Sequence, residues 1–213
     1  MENNIIFVEN AVKSFKNNLA LDHVSVKFSK GAIHGIIGRN GSGKTVLFKC
    51  ICGFMRLTSG QILINGKTIG KQINIPKNIG IIIETPGFLQ SYSGYKNLKM
   101  LASIQHKIEK NDIKNTMMRV GLDPENKKKV GKYSLGMKQR LGIAQAIMEN
   151  PDILILDEPM NGLDTQGVKD IKQLLLQLKQ EGKTIILASH NMEDIHDLCD
   201  TVHEMSAGKI LAV

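Results

Sequence analysis

Apolar and polar residues along the chain follow two spacings that predict two kinds of strand. Strands buried on both faces are predicted by short, continuous apolar runs at 33–37, 79–83, 153–157 and 184–189. Half-buried strands are predicted by alternating apolar residues at 4–8, 24–28 and 61–69. The last of these segments contains Asn65-Gly66, a pair typical of a tight hairpin turn. The pattern therefore predicts a buried sheet and a smaller antiparallel region.

Between these strands, apolar residues recur with helical spacing. Helices are predicted at 46–52, 94–148, 165–180 and 192–199, the second broken at the 121–124 turn and at a lysine-rich loop before Ser134. Buried strands that alternate with helices form a mostly parallel sheet. We therefore predict an α/β fold in which the long second helical segment is an insert.

The turn between the run at 33–37 and the first helix contains a complete phosphate-binding motif, G-x-x-x-x-G-K-[ST]. Its residues are Gly38, Arg39, Asn40, Gly41, Ser42, Gly43, Lys44 and Thr45. The glycines let successive N–H groups point inward, Lys44 can reach the β- and γ-phosphates, and the Thr45 hydroxyl can bind Mg²⁺. Together with Val46, where the helix and its positive dipole begin, this loop is predicted to bind nucleotide.

Two acids end the buried strand at 153–157, and a histidine follows the strand at 184–189. Asp157 can hold the hydration shell of Mg²⁺ opposite Thr45. Glu158, one residue further, is the better candidate for a base that takes a proton from the attacking water. His190 can contact the γ-phosphate, although a single histidine at a strand end is equally compatible with a structural role.

The composition of the chain excludes some classes of protein but does not identify a function. A chain of 213 residues with 42% apolar and 23% charged residues suits one globular domain. No apolar run approaches the roughly 18 residues of a membrane span, and the N-terminal M-E-N-N-I-I-F lacks a secretory signal, so we expect a cytosolic protein. Cys50, Cys52 and Cys199 are expected to be buried, reduced thiols. The net charge of +8 alone selects no partner.

Taken in order, these motifs resemble the ATP-binding cassette (ABC) family along essentially the whole chain. A further stretch, Y-S-L-G-M-K-Q-R at 133–140, matches the family's signature, in which Ser134 and Gly136 keep the common pattern. The resemblance implies that these two residues bind the γ-phosphate held by a second subunit, that Phe15 stacks on adenine, and that His190 is the switch histidine. It also implies that the 161–164 loop crosses to that subunit.

The fold implied is a phosphate-loop NTPase (RecA-like) core with a small antiparallel β subdomain and a helical insert that carries the signature. One cassette domain is expected over 1–213, with its core at about 1–86 and 150–213 and its helical part at about 87–149. The implied cofactors are ATP and Mg²⁺. The implied partners are separate transmembrane permease subunits and a second cassette, with no nucleic acid, on the inner face of the cell membrane.

One departure from the family pattern narrows the resemblance. The family usually has glutamine where this chain has Glu84, whose oxygen can also contact Mg²⁺ or its water. Glu84, Pro86, Phe88 and the altered signature resemble the branch that exports bacitracin and lantibiotic peptides or gives immunity to them. Members of that branch usually continue beyond a length of 213, so a minimal subunit and a truncated chain are both open.

Other classes of phosphate-loop protein fit the sequence less well than a transporter subunit does. The guanine-reading N-K-x-D is missing, arginines are too few for a small-molecule kinase, and the 84–134 segment is too short for the coiled coil of DNA-repair members. The alternative that stays open is a soluble assembly ATPase, such as the cassette subunit of an iron-sulfur cluster scaffold. It uses the same motifs without a membrane partner.

Overall fold

A computed structural model describes residues 4–16, 18–84 and 86–211. The first three residues of the N-terminal segment and the last two of the chain, on which the expectations about secretion and length depend, lie outside the described residues. The strands are β1 (Asn4–Phe15), β2 (Asn18–Ser29), β3 (Ile33–Ile37), β4 (Ser59–Ile64), β5 (Lys67–Thr68), β6 (Ile79–Ile82), β7 (Ile153–Asp157), β8 (Thr184–Ser189), β9 (Thr201–Ser206) and β10 (Lys209–Leu211). The helices are α1 (Lys44–Ile51), α2 (Gly94–Gln105), α3 (Lys110–Arg119), α4 (Leu135–Ile147), α5 (Thr165–Gln180) and α6 (Met192–Leu198).

The strands form two sheets, as the pattern predicts. The larger has the order β10-β9-β3-β8-β7-β6, and all its pairs are parallel except β10 with β9. The smaller is antiparallel, in the order β2-β1-β4-β5. The β4–β5 turn is at Asn65 and Gly66, which both have positive φ. The predicted α/β fold with a mostly parallel sheet and a separate antiparallel sheet is confirmed.

The first two strands are much longer than the alternating pattern predicts. β1 continues past residue 8 to Phe15 through irregularities in its pairing with β2, and Asn10 has φ of 47°. A bulge inserts an unpaired residue and so reverses which side chains face the core beyond it. The alternation is therefore interrupted at the bulge, although the strand continues.

The parallel sheet has a hydrophobic core on each face. Alternate residues of β7 take opposite sides, because Leu154 and Leu156 pack with the insert helices while Ile153 and Ile155 pack with α1 and the antiparallel sheet. Burial on both faces explains why β7 is a continuous apolar run. Helix α1 lies between the two sheets, which places the preceding phosphate loop at the carboxyl edge of the parallel sheet.

Helices α2, α3 and α4 all lie between β6 and β7, where the sequence predicts a helical insert. Ser93 and Ser134 cap α2 and α4, each accepting a backbone N–H with its side chain. A break between α2 and α3 escaped the sequence prediction, because His106 takes the left-handed conformation there without a glycine or proline nearby. The division of the chain into core and helical parts remains a prediction about domains.

Candidate functional site

A cleft of about 710 Å³ lies where the carboxyl ends of the parallel strands meet the β1–β2 hairpin. Its lining brings together most of the predicted site residues: Phe15, Asn40, Gly41, Ser42, Gly43, Lys44, Thr45, Val46, Glu84, Asp157 and Glu158. Ligand clefts in open parallel sheets typically lie at this edge. Gly38, Arg39, His190, Ser134 and Gly136 are the predicted residues that the cleft lining does not include.

The phosphate loop curls around the ammonium group of its own lysine. The Lys44 side chain is buried, and its Nζ donates hydrogen bonds to the carbonyl oxygens of Gly38 at 2.6 Å and Arg39 at 3.2 Å. Gly43 has φ of 109°, and a Cβ there would lie 2.6 Å from the Ala20 carbonyl oxygen. Only glycine therefore lets the loop pass this close to the β2 backbone. The loop in turn holds the buried Lys44 ammonium at the start of α1.

Thr45 and Asp157 meet at the start of α1 and the end of β7. The Thr45 hydroxyl donates to Asp157 Oδ2 at 2.7 Å. Burial raises the pKa of the Asp157 carboxyl, as do the charges of Glu158 and Glu84, while the Thr45 hydrogen bond and Lys44 act in the opposite direction. A hydroxyl and a carboxylate held this close are hard oxygen donors of the kind Mg²⁺ prefers, and a cation would offset the cost of burying the charge.

No group of three or more His, Cys, Asp or Glu side chains that could hold a metal ion occurs in residues 4–16, 18–84 and 86–211. The three predicted oxygen donors, Thr45, Glu84 and Asp157, all line the cleft. Magnesium bound beside nucleotide phosphates typically takes one or two carboxylates together with phosphate oxygens and water.

Glu158 lies just past the end of β7 in an unusual backbone conformation. Its φ is 51°, and its N–H donates to the Ala188 carbonyl oxygen of β8 at 2.9 Å. Its carboxylate Oε1 lies 3.0 Å from Nδ1 of His190, whose side chain is exposed. Two of the predicted catalytic residues are thus in direct contact, and β7 and β8 place them there because the strands are adjacent and parallel.

Gln139 of α4 is a cleft residue that the sequence analysis did not single out. Its side-chain Nε2 donates to the carbonyl oxygens of Glu158 at 3.1 Å and Pro159 at 3.0 Å. The signature stretch at 133–140 contains this glutamine, but sequence spacing carries no signal that it turns toward the β7 end. Only the packing of α4 on the parallel sheet brings the two together.

Lys49 is a second residue that sequence reasoning missed. It lies on α1, and its Nζ is 2.6 Å from Oε1 of Glu84. Glu84 follows β6 with φ of 63°, and about 65% of its side chain is exposed. The predicted metal ligand Glu84 therefore lines the cleft but has an ion-pair partner on the helix after the phosphate loop. The two residues are 35 positions apart in the sequence, so no local pattern reveals this pair.

The signature residues Ser134 and Gly136 are not part of the lining of their own chain's nucleotide cleft. Ser134 caps α4, where its Oγ accepts from the Met137 N–H at 3.2 Å, as predicted for an N-cap. Leu135 is 62% exposed and packs against Gly162. An exposed helix N-terminus with a serine cap can bind an anion supplied from outside the chain.

Phe15 lies at the end of β1 on the opposite wall of the cleft. Its side chain is 42% exposed, and Lys13 Nζ lies 4.9 Å from the centre of its ring. A phenylalanine in a core would be covered by apolar neighbours, whereas here much of the ring is open to the cleft. An exposed aromatic ring beside a phosphate loop is suited to stacking on a base.

Known proteins with similar sequences are ATP-binding subunits, in agreement with the phosphate-binding cleft described above. The family model described as ABC transporter matches residues 21–161. An uncharacterized ABC transporter ATP-binding protein of Bacillus subtilis, YybJ, is 48% identical over 97% of this chain and 94% of its own length. The bacitracin transport ATP-binding protein BcrA of Bacillus licheniformis is 42% identical over 97% of this chain and 68% of its own.

A solved structure, CbiO1 from Clostridium perfringens, is described as part of the ABC transporter complex CbiONQ. It superimposes with a TM-score of 0.83 at 30% identity, covering 99% of this chain and 88% of its own. Within the described ranges of our chain, no helix is long and apolar enough to cross a membrane.

Proposed function

Because this chain belongs to the ABC transporter family as an ATP-binding, ATP-hydrolysing subunit, we propose that it drives export of peptide antibiotics or immunity to them. The observation that carries the substrate class is its similarity to a bacitracin transport protein over nearly the whole chain. Glu84 at the end of β6, part of the sequence resemblance to that branch, supports the same choice. The relatives named above do not favour a soluble assembly ATPase.

At the site, we assign the positive charge facing the β- and γ-phosphates to Lys44, within the phosphate-loop residues 38–46. Mg²⁺, when bound with ATP, neutralises phosphate charge, and Thr45 and Asp157 are the residues that would hold it. Glu158 accepts a proton from the attacking water. His190, already within hydrogen-bonding distance of Glu158, orients that carboxylate and contacts the γ-phosphate.

The second cassette follows from the placement of the signature. Ser134 and Gly136 do not line the cleft that contains Lys44, so within one chain they complete no site. In a head-to-tail pair, each α4 N-terminus would supply its dipole and serine to the phosphates bound by the other chain. Phe15 would stack on adenine at the opposite end of each nucleotide. A second copy of this chain and a related cassette chain would both satisfy this geometry.

For the permease, we propose the groove between β6 and α2 as the docking surface. It is lined by apolar side chains that include Phe54, Ile75 and Ile104, which are 58%, 61% and 74% exposed. Large exposed apolar residues grouped in a groove are typical of protein interaction sites. The occupant would be a short helix of the permease on the inner face of the membrane, which would make this chain a peripheral membrane subunit in the cytoplasm.

One experiment tests the assignment of catalytic roles. Lys44→Ala should abolish hydrolysis by weakening nucleotide binding, while Glu158→Gln should keep binding and slow cleavage. The Glu158→Gln chain should therefore accumulate as an ATP-dependent dimer in sedimentation at millimolar MgATP, whereas the unmodified chain should not. A Glu158→Gln chain that binds MgATP and stays monomeric would contradict the paired site.

A second experiment tests the transport role. The chain would be co-purified from membranes with its permease, and cells that carry both would be challenged with bacitracin and with a lantibiotic. Greater resistance that is lost in Lys44→Ala supports export or immunity. Resistance that is equal with and without Lys44 would contradict a role for ATP hydrolysis in it.

A further inference from the structure

Helix α4 carries one residue that lines the cleft and one that does not. Gln139 lines the cleft, whereas Ser134, which caps the helix N-terminus, is outside the cleft lining. The two residues are five positions apart in the sequence, which is about 7.5 Å along the helix axis. A single rigid stretch of helix therefore connects the surface proposed to meet a second subunit's nucleotide with the interior of this subunit's own site.

Gln139 contacts the backbone of the proposed base rather than its carboxylate. One amide nitrogen donates to the carbonyl oxygens of Glu158 at 3.1 Å and Pro159 at 3.0 Å. The Gln139 amide is partly buried, so little water is available to replace these bonds. Truncating the side chain would leave two carbonyl oxygens without this donor.

The backbone of Glu158 needs such support because glutamate disfavours its conformation. With φ of 51°, Glu158 is in the left-handed region, which persists in non-glycine residues only where neighbouring structure holds it. On the sheet side, the Glu158 N–H donates to Ala188 at 2.9 Å, and from its own loop the carbonyl accepts from the Asn161 N–H at 3.1 Å. From the helical insert, the Gln139 side chain holds the same peptide segment by donating to the Glu158 and Pro159 carbonyls.

From this geometry we infer that Gln139 is a positioning residue, which fixes the peptide after Glu158 and so aims the Glu158 carboxylate. It makes hydrolysis in one subunit depend on the placement of that subunit's own signature helix. When the α4 N-terminus engages a partner's nucleotide, any shift of the helix is transmitted to Glu158 through Gln139. This inference rests on the proposed role of Glu158 as the base.

The test compares variants of the full chain by single-turnover hydrolysis of MgATP and by nucleotide titration. Gln139→Met keeps the length of the side chain but removes the donor, and Gln139→Glu places carboxylate oxygens against the two carbonyls. We expect hydrolysis to fall about 2- to 13-fold in Gln139→Met, the loss typical of one hydrogen bond, and further in Gln139→Glu. ATP affinity should change little, and the melting temperature should fall by no more than about 6 °C, the effect of losing one hydrogen bond in a chain of this size.

Gln177→Met is the matched control, since Gln177 is an exposed glutamine on α5 and the same chemical change there should leave hydrolysis unchanged. If Gln139 only stabilised the fold, Gln139→Met would lower the melting temperature and leave the single-turnover rate of the folded chain unchanged. A direct contact with the nucleotide would lower affinity in proportion. Either result, or an unchanged rate in Gln139→Met, overturns the inference.

A double-variant comparison separates this inference from the proposal it rests on. If Gln139 acts only through Glu158, Gln139→Met should cause no additional loss in a Glu158→Gln background. Equal fold-losses in both backgrounds would show that Gln139 acts independently and would overturn the inference. If Glu158→Gln alone leaves hydrolysis intact, the role of Glu158 itself fails.

Discussion

The Lys49–Glu84 ion pair gives Glu84 a testable role in coupling hydrolysis to transport. Glu84 follows β6 and begins the connection to the helical insert, and Lys49 lies on the helix after the phosphate loop. Pro86, two residues further along, packs against α4 at Gly142, where an added Cβ would lie 3.0 Å from the proline ring. The pair therefore joins the core to the segment that leads to the signature helix. Glu84→Gln keeps the shape of the side chain and removes the charge.

The expected effect on stability is small, because the two side chains are about 28% and 65% exposed. Exposed ion pairs typically contribute about 0.2–1 kcal/mol, and in a chain of this size about 1 kcal/mol corresponds to about 2–4 °C in melting temperature. Glu84→Gln should thus lower the melting temperature by no more than about 4 °C, and less at high salt, which screens the pair.

Glu125→Gln provides a matched control. Glu125 pairs with Lys114 at the same 2.6 Å, with exposures of 72% and 40%, but on the surface of the insert away from the cleft lining. Both variants should lose similar small amounts of stability. Only Glu84→Gln should change the ratio of substrate moved to ATP cleaved when the subunit is reconstituted with its permease.

Two results would refute this reasoning in different ways. Coupling that is unaltered in Glu84→Gln would mean that the pair is only a surface contact. Loss of basal hydrolysis in the isolated chain as deep as that of Glu158→Gln would make Glu84 catalytic instead. The expected outcome lies between them, with altered coupling and nearly unchanged basal hydrolysis.

Other measurements address base stacking, acid stability and thiol reactivity. Phe15→Ala should weaken binding of a fluorescent ATP analogue about 2- to 13-fold, equivalent to about 0.5–1.5 kcal/mol of stacking, and unchanged affinity would place the adenine elsewhere. Burial lowers the pKa of His34 and His203, so below about pH 6.5 the unfolded chain binds protons that the folded chain does not. The melting temperature should therefore fall as the pH drops below about 6.5, and it should fall less steeply in His203→Asn. Burial raises the pKa of the Cys50 thiol to about 11 and of the Cys52 thiol to about 12. At about pH 8 these two thiols should therefore react with a thiol reagent only after unfolding, and fast labelling of either one in the native chain would contradict this.

Sequence patterns were sufficient where local chemistry decides the structure. The continuous apolar runs located β3, β7 and β8, and the helix at 165–180 was predicted with the observed bounds of α5. The Ser134 cap followed from the preference of serine for that position. The phosphate loop from Asn40 onward and the two acids at the end of β7 line one cleft, as their positions at the ends of parallel strands predict.

What escaped prediction depends on contacts between distant residues or on exceptions to backbone preference. The bulge near Asn10 interrupts the alternation that defines β1, and left-handed His106 ends α2 without the glycine that usually marks such an end. The Lys49–Glu84 and Gln139–Glu158 contacts join separate elements. Their partners are chosen by the packing of α1 and α4 on the sheet, which no local pattern specifies.

The left-handed backbones of Glu84 and Glu158 have a consequence for how this chain can change during evolution. Each costs the fold about 1–3 kcal/mol relative to a relaxed conformation, and glycine would remove that cost at either position. The substitution that most relaxes the backbone there also deletes a carboxylate from the cleft. Variants selected only for heat resistance would therefore drift toward glycine at these two positions, losing the proposed base at 158 and the proposed coupling charge at 84, while continued need for transport keeps the chain less stable than its fold allows.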